Sequence, residues 1–599
     1  MSPVDPVGED FTDYREPYGP AHLWRWFSGA VWHVERAFEQ SRTSGRAVDD
    51  TRLRMFFVLS IFTLAFVSLG LKATRAALFA NVDEGGAAAR ALAGARADLV
   101  DRNGALLAID LTHYGVYLDP NEIWDTAEIR RKLPLYYPSV SLERLDKALA
   151  GHRREYLGGG LTPQEMKLIH DQGLPGISFE EEPRRVYPLG PIGEHLIGFS
   201  DAGGRGIAGA EKALDADIRD AAGSDEPVAL AMDVRVQAAL QDELQKAMVK
   251  YQTLTAQGMV VNVHTGEILA MASVPDFDPN APGKTPIPNL TNHEAASVYE
   301  LGSVFKAFTI AMGLDTGVVN LDSTFDVHAP IMVGGHLIHD FDKGDSTLAL
   351  WQVFTHSSNI GAATLAMRAG PDRMKDYFNR FGLFKAAPSE MFESARPILP
   401  RQFSNETLAQ IAFGQGISVS PLSLATGYTA LMNGGLYVPL TIKKVDPAHM
   451  PQGRRVVSEQ TSYQMLQLMR MNVHTDPKGS GHKADDVGLR VGGKTGSAQK
   501  PEHGHYSKNN ISSFVAAFPT DGPVSADRYL VIITLDAPHV TPDSYGFITA
   551  GWNAAPTAGA VIDRIAPFLG VKRVITADTP LPGQAGAAAS GAAPQDMAE

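Results

Sequence analysis

The 599 residues carry 53 Lys and Arg against 67 Asp and Glu, a net charge of −14, and no cysteine. So acidic a chain lacks the basic field that non-specific nucleic-acid binding needs, and the missing thiols exclude disulfide frameworks, thiolate zinc sites, iron–sulfur clusters and cysteine nucleophiles. Hydrophobic content of 44% and charged content of 20% are those of an ordinary globular protein, and the length suggests about three to four domains.

Residues 1–54 read as a cytoplasmic N-terminal arm. It holds Trp24, Trp26 and Trp32, half of the chain's six tryptophans, and Leu23, Phe27, Val31, Val34 and Phe38 keep one helical face apolar. That pattern fits an interfacial or partner-binding helix, or equally a tether whose aromatics touch lipid headgroups. Met55 to Leu71 follows, seventeen residues without a charge between Arg54 and Lys72. Such a run makes roughly 25 Å of helix, and the flanking cations can snorkel to close the remaining gap. An apolar surface on all faces suits lipid better than the one-sided packing of a core helix, so a single transmembrane helix is predicted. The 54 residues ahead of it are too many for a cleaved signal peptide. Arg36, Arg42, Arg46, Arg52 and Arg54 before the span, against Lys72, Arg75 and Arg90 after it, predict an inside N-terminus and a translocated bulk.

Residues 72–228 are mixed, with turn signals at Arg102-Asn103-Gly104 and Gly158-Gly159-Gly160, and are predicted to form an irregular α+β module. The pattern changes after Asp233, a plausible N-cap for a helix with Val236, Leu240, Leu244, Ala247 and Met248 on one face. Two apolar runs, Gly258 to Val263 and Ile268 to Ser273, are joined by the turn His264-Thr265-Gly266-Glu267 and read as a hairpin. Gly488 to Gln499, Ile511 to Pro519 and Tyr529 to Asp536 read as three further strands, with a helix from Ala555 to Leu569 after them. The segments between the two blocks are mainly helical, including Ser303 to Leu314 ended by Thr316-Gly317. Residues 229–575 therefore read as a sheet built from both ends of one domain around a helical insertion. Residues 576–599, rich in Ala, Gly and Pro, cannot bury a core and read as a disordered tail.

The chain has no Gly-x-Ser-x-Gly elbow. Ser-x-x-Lys, whose spacing on a helix lets the amine take the hydroxyl's proton, occurs at Ser303/Lys306, Ser480/Lys483 and Ser497/Lys500. Ser-x-Asn occurs at Ser357/Asn359 and Ser507/Asn509, and Lys-Thr-Gly once, at Lys494-Thr495-Gly496. Each alone is weak. Only Ser303 to Lys306, then Ser357-Ser358-Asn359, then Lys494-Thr495-Gly496 gives the elements in series, at a helix start, in the helical insertion and on a strand.

This ordered set resembles the penicillin-binding proteins, the serine D,D-transpeptidases of peptidoglycan synthesis. Residues 96–104, Arg185-Val186-Tyr187-Pro188, His195, Gly198, the Gly206 to Glu211 stretch, Thr265 to Ala270 and Phe277-Asp278-Pro279-Asn280 are similar to further motifs of the class B subgroup, so the resemblance spans about residues 96–570. Tyr299-Glu300-Leu301-Gly302-Ser303 and His356 to Gly361 look most like the division-specific septal type, the FtsI type. Ala97, Leu301 and Ser497 stand where Gly, Pro and Thr are usual, and none removes a catalytic group.

The resemblance implies an α+β penicillin-binding transpeptidase or serine β-lactamase-like fold, preceded by a non-catalytic pedestal and one membrane helix. It implies that Ser303 attacks the penultimate D-Ala carbonyl, Lys306 is the base and Ser357 passes a proton to the leaving amine. Asn359 would hold the substrate backbone, and Lys494 and Thr495 the terminal carboxylate. Gly496 would admit an extended substrate at the strand edge, and the N–H groups of Ser303 and Ser497 would hold the oxyanion. No metal or organic cofactor is implied. The implied partners are stem peptides, β-lactams, a SEDS-type septal glycan polymerase of FtsW type and other division proteins, for a single-pass inner-membrane protein with a periplasmic bulk. An elongation-type class B enzyme, a D,D-carboxypeptidase or β-lactamase, and a non-catalytic β-lactam sensor or division scaffold remain alternatives.

Overall fold

The structure, a computed structural model, describes residues 96–222, 224, 226–341, 346–502 and 505–576, and isolated positions from 36 to 69. The Trp-rich arm, most of the expected span and the tail after residue 576 lie outside the described residues. Of the span, Val58, Ile61, Phe62, Phe66, Val67 and Leu69 are helical and exposed. Among the described residues no helix is long and apolar enough to cross a membrane.

The first module is organised by a five-stranded sheet in which β1 (Leu99–Val100), β2 (Leu106–Leu118), β3 (Glu155–Leu161), β4 (Ile177–Val186) and β5 (Val228–Ala229) run β3-β2-β1-β5, with β4 also on β2. Helices Thr126–Tyr136, Leu142–Leu149 and Pro163–His170 bury Ile129, Leu133, Leu145, Ala148 and Ile169 with Val116 and Leu118 of β2. The separate motifs of this module meet in one buried ion-pair cluster. Arg96 Nε donates to Glu211 Oε2 at 2.7 Å, and Arg185 Nε donates to Glu211 Oε1 at 2.7 Å. Arg96 also pairs with Asp215, and Arg185 with Asp110 at 3.2 Å. Both guanidiniums and the Glu211 carboxylate are buried, so removing the shared anion leaves two buried cations with only the more peripheral Asp215 and Asp110 to balance them. Glu211→Gln is expected to destabilise the module by about 3–5 kcal/mol, read as a lower urea midpoint with an unchanged slope. An unchanged midpoint would show that the cluster is not structural.

The second block opens with α1 (Val234–Tyr251), whose N-cap Asp233 accepts from Arg235 N as its sequence position predicts. The predicted hairpin is present as β6 (Thr255–Asn262) and β7 (Ile268–Val274), with Gly266 at φ +73° in the turn. They join β8 (Gly492–Glu502), β9 (His505–Phe518) and β10 (Tyr529–Asp536) in an antiparallel sheet of order β8-β9-β10-β6-β7. The first and last blocks of this domain thus meet at β10 and β6. One face is covered by α1 and by α5 (Ala554–Ile565) through Leu240, Leu244, Val561 and Ile562. The other packs on the helical insertion, which contains α2 (Lys306–Asp315), α3 (Leu350–Thr355) and α4 (Asn359–Ala369).

Two strand starts differ most from the sequence reading. β8 begins at Gly492 rather than Gly488, because Gly488 and Arg490 adopt φ +83° and +53° in the turn before it. β9 begins at His505 rather than Ile511, because its polar first half pairs back onto β8, with His505 opposite Glu502 and Tyr506 opposite Pro501.

Candidate active site

Ser303 lies in a 3-10 turn, Gly302–Phe305, that runs directly into α2. Its conformation is dictated by what surrounds it. Gly302 has φ +59°, and a methyl group there would come within 2.8 Å of Ser497 O, so only glycine allows the turn to lie against β8. Leu301 is buried, and Tyr428 Oη donates to Val304 O at 2.6 Å from beneath. The side chain of Ser303 faces a cleft of about 510 Å³ whose walls include Ser357, Asn359, Ser480, Thr495, Ser497 and Trp552.

The three sequence elements converge on Ser357. α3 ends at Thr355 and α4 starts at Asn359, and between them Ser357 takes the left-handed φ of +60°. Lys306, one turn along from Ser303, is fully buried. Its Nζ donates to Ser357 O, to Ser357 Oγ at 3.1 Å and to Asn359 Oδ1 at 2.7 Å. Lys494, also fully buried, donates to the same Ser357 Oγ at 3.0 Å. With lone pairs engaged by both amines, the Ser357 proton is left to point elsewhere. Burial, and then the Lys494 cation, push the Lys306 ammonium well below the ordinary lysine range, while Asp340 opposes them. Burial lowers Lys494 to about 7.

The pleat of β8 divides its residues between the cleft and the interior. Successive side chains leave a strand on opposite faces, so Thr495 and Ser497 face the cleft while Lys494 and Gly496 face inward. Lys494 therefore stands behind Ser357 rather than at the cleft surface, with its amine on the Ser357 hydroxyl. At Gly496 a Cβ would collide with Leu301 O and approach Val304 N to 3.3 Å, so the nucleophile turn by itself requires glycine there. The cleft-facing partner of Thr495 is Ser480, whose Oγ lies 2.6 Å from Thr495 Oγ1 and donates to Asn472 Oδ1 at 3.1 Å. Sequence order had set Ser480 and Lys483 aside as too late in the chain, yet both line the cleft, and Lys483 Nζ lies 4.2 Å from the Trp552 ring centroid. The Gly479-Ser480-Gly481 turn just ahead of β8 was the available signal. Ser497 Oγ accepts from Ala550 N at 2.9 Å, which ties the strand to the Thr549–Trp552 wall. Asp476 was also missed, and His356 was read only as part of the His356 to Gly361 motif. They pair at 3.1 Å, and against the upward pull of burial the bonds from His356 and Thr355 hold Asp476 at about 2.

Residues 257–554 match the family model of the penicillin-binding protein transpeptidase domain, and residues 91–225 that of the penicillin-binding protein dimerisation domain. The chain is 53% identical over 555 residues to a probable peptidoglycan D,D-transpeptidase FtsI of Caulobacter vibrioides, covering 92% of this chain and 94% of that one. The chain belongs to the class B penicillin-binding proteins of FtsI type. Peptidoglycan D,D-transpeptidase FtsI of Escherichia coli strain K12 is 31% identical to this penicillin-binding protein, with 78% of this chain and 82% of that one covered. The crystal structure of penicillin-binding protein 3 from Mycobacterium tuberculosis, complexed with aztreonam, superposes with a TM-score of 0.61 at 26% identity, over 80% of this chain and 97% of that one. The α+β transpeptidase fold expected of a penicillin-binding protein is therefore the fold observed.

Proposed function

We infer that this protein crosslinks peptidoglycan stem peptides by D,D-transpeptidation in septal wall synthesis and is a target of β-lactams. The observation that carries the reading is the convergence of Lys306 and Lys494 on the hydroxyl of Ser357 beside Ser303. In the reaction Lys306, deprotonated, takes the Ser303 proton as Oγ adds to the carbonyl carbon of the penultimate D-Ala. The oxyanion lies toward the N–H groups of Ser303 and Ser497, which the contact of Gly302 with Ser497 brings together. As the peptide bond breaks, Ser357 gives its proton to the departing D-Ala nitrogen and is reprotonated by Lys306. An amine of a second stem then attacks the ester, passing a proton back along the same path and releasing Ser303. Asn359 orients both Lys306 and the substrate backbone. Thr495, backed by Ser480, binds the terminal carboxylate, and Lys494 contributes its field from behind. Crosslink formation with release of D-Ala, followed by mass spectrometry, tests the reading; release by water alone would make the protein a carboxypeptidase.

The depressed Lys306 sets the sign of the pH dependence. Below its folded-state pKa the amine is protonated and cannot accept the Ser303 proton, so acylation is expected to fall as pH drops through a midpoint well under 10.5. Stability follows the same linkage. Between the depressed value and the ordinary one the unfolded chain holds the proton that the folded chain has lost, so stability rises with pH across that window. Stopped-flow acylation by a reporter β-lactam across pH checks the first statement. A profile flat over the whole pH range in which the protein stays folded would remove Lys306 as the titrating base.

The domain reading extends this proposal: a cytoplasmic arm over residues 1–54, a membrane helix over 55–71, a pedestal over 72–228, the transpeptidase domain over 229–575 and a tail over 576–599. Its support is the charge asymmetry around the apolar run and the family of the folded portion. Protease added to spheroplasts is expected to digest the bulk and spare an N-terminal tag; the reverse pattern would overturn the orientation. Because the pedestal resembles the non-catalytic class B module, the glycan strand comes from a partner, for which the FtsW-type polymerase is proposed. The purified chain given lipid II should form no polymer, and polymer formed by it in isolation would refute the assignment.

A further inference from the structure

We propose that Asp340 is a positioning residue of this reaction, holding the Ser357-Ser358-Asn359 turn and, through it, the oxygen acceptors around Lys306. The proposal rests on the catalytic reading above. A helix start leaves N–H groups without intrahelical acceptors. At α4 the Ser358 hydroxyl accepts from Gly361 N, at 2.9 Å. The N–H groups of Asn359 and Ile360 both donate to Asp340 Oδ1, at 2.6 and 3.0 Å, and the Ser358 hydroxyl donates to Asp340 Oδ2 at 2.6 Å. One carboxylate from another loop thus caps α4 and seizes its N-cap side chain.

The residue before it completes the grip. His339 O accepts from Asn359 Nδ2 at 3.0 Å, which leaves Oδ1 of that amide facing Lys306 Nζ at 2.7 Å. Rotating the amide would instead present an NH2 group to an amine. Ser357, next in line, is a non-glycine residue in the left-handed region, a conformation that persists only when its surroundings impose it. Asp340 anchors one side of it through Ser358, and the His356–Asp476 pair anchors the other. The loop bearing Asp340 emerges from an exposed hairpin, Ile331–Val333 paired with His336–Ile338, and reaches the cleft wall at Phe341. The charged groups acting on Lys306 are Lys494 from β8 and Asp340 from this loop, with opposite sign. Ser357 and Asn359 are neutral, and His356 is turned to Asp476.

The test uses the full chain carrying Asp340→Asn or Asp340→Glu and a fluorescent penicillin, with rate constants read per labelled site so that misfolded molecules do not count. Charge-assisted hydrogen bonds of this kind predict a fall in the D340N acylation rate of about ten- to a hundredfold. Its acidic limb should also move to lower pH, because Lys306 loses its one opposing negative charge. D340E keeps the charge, so it should lose rate while its limb stays at the wild-type pH. A D340N rate and limb equal to wild type, or D340E displaced as D340N is, would overturn the proposal. A D340N loss confined to the number of labelled sites would do so too, since that is what a merely structural residue does. Wild-type protein that fails to label at Ser303 would instead overturn the catalytic reading, which separates the two failures.

Discussion

Ser303→Ala is expected to abolish covalent labelling by penicillin while leaving the fold and the non-covalent affinity for the drug almost unchanged. The strained amide of a β-lactam offers the carbonyl that the nucleophile attacks, and the ester then waits for an acceptor amine. Ser303 is the hydroxyl at the head of the turn that Gly302, Leu301 and Tyr428 fix against β8. Removing a single oxygen at this cleft-facing position creates no buried cavity and breaks no hydrogen bond among the described residues. The loss should therefore appear wholly in the chemical step, with the labelled fraction falling to background. Mass spectrometry of the intact protein and of its peptides checks this. Adducts that persist in the variant, or that map to Ser480 or Ser497 in the wild type, would sink the assignment, and both of those serines are close enough to make the mapping a real test.

Lys306→Met should slow acylation by about two to four orders of magnitude, the range of a positioned general base. Methionine keeps much of the volume of a side chain that is fully buried, so packing is largely retained. What disappears is the amine that donates to Ser357 and Asn359 and takes the Ser303 proton. Stability should change less than the chemistry does, because the variant leaves Asn359 Oδ1 unmatched but also removes a group whose charged form burial and Lys494 disfavour. Pre-steady-state kinetics at several β-lactam concentrations separate the two effects: the limiting acylation rate should collapse while the apparent dissociation constant moves only a few-fold. Near-normal acylation would hand the base role to Lys494 acting through Ser357, whose Oγ it already reaches at 3.0 Å.

Much of this protein was readable from local sequence, because helices, hairpins and turns are decided within a few residues of themselves. Val236, Leu240 and Leu244 behind Asp233 determined α1, and the apolar runs on either side of His264-Thr265-Gly266-Glu267 determined β6 and β7. The ordered Ser-x-x-Lys, Ser-x-Asn and Lys-Thr-Gly elements named the residues that meet at Ser357, since a reaction restricts which side chains can serve it. Boundaries were less legible wherever long-range pairing set them. The polar half of β9 has no apolar alternation and becomes a strand only because β8 lies beside it.

Only the tertiary structure decided how the named residues are used. A motif states that Lys494 is present, but the pleat of β8 against the helical insertion decides that its amine meets Ser357 instead of the open cleft. Ser480, His356 with Asp476, and Asp340 are separated in sequence from the groups they serve, by 15 residues for Ser480 and Thr495 and by 18 for Asp340 and Ser358. No periodicity carries contacts of that kind. They exist because folding brings distant donors and acceptors together in a low-dielectric interior, where each buried polar group must find a partner or cost free energy. Sequence determined which groups could do this chemistry, and packing determined where each proton and charge sits.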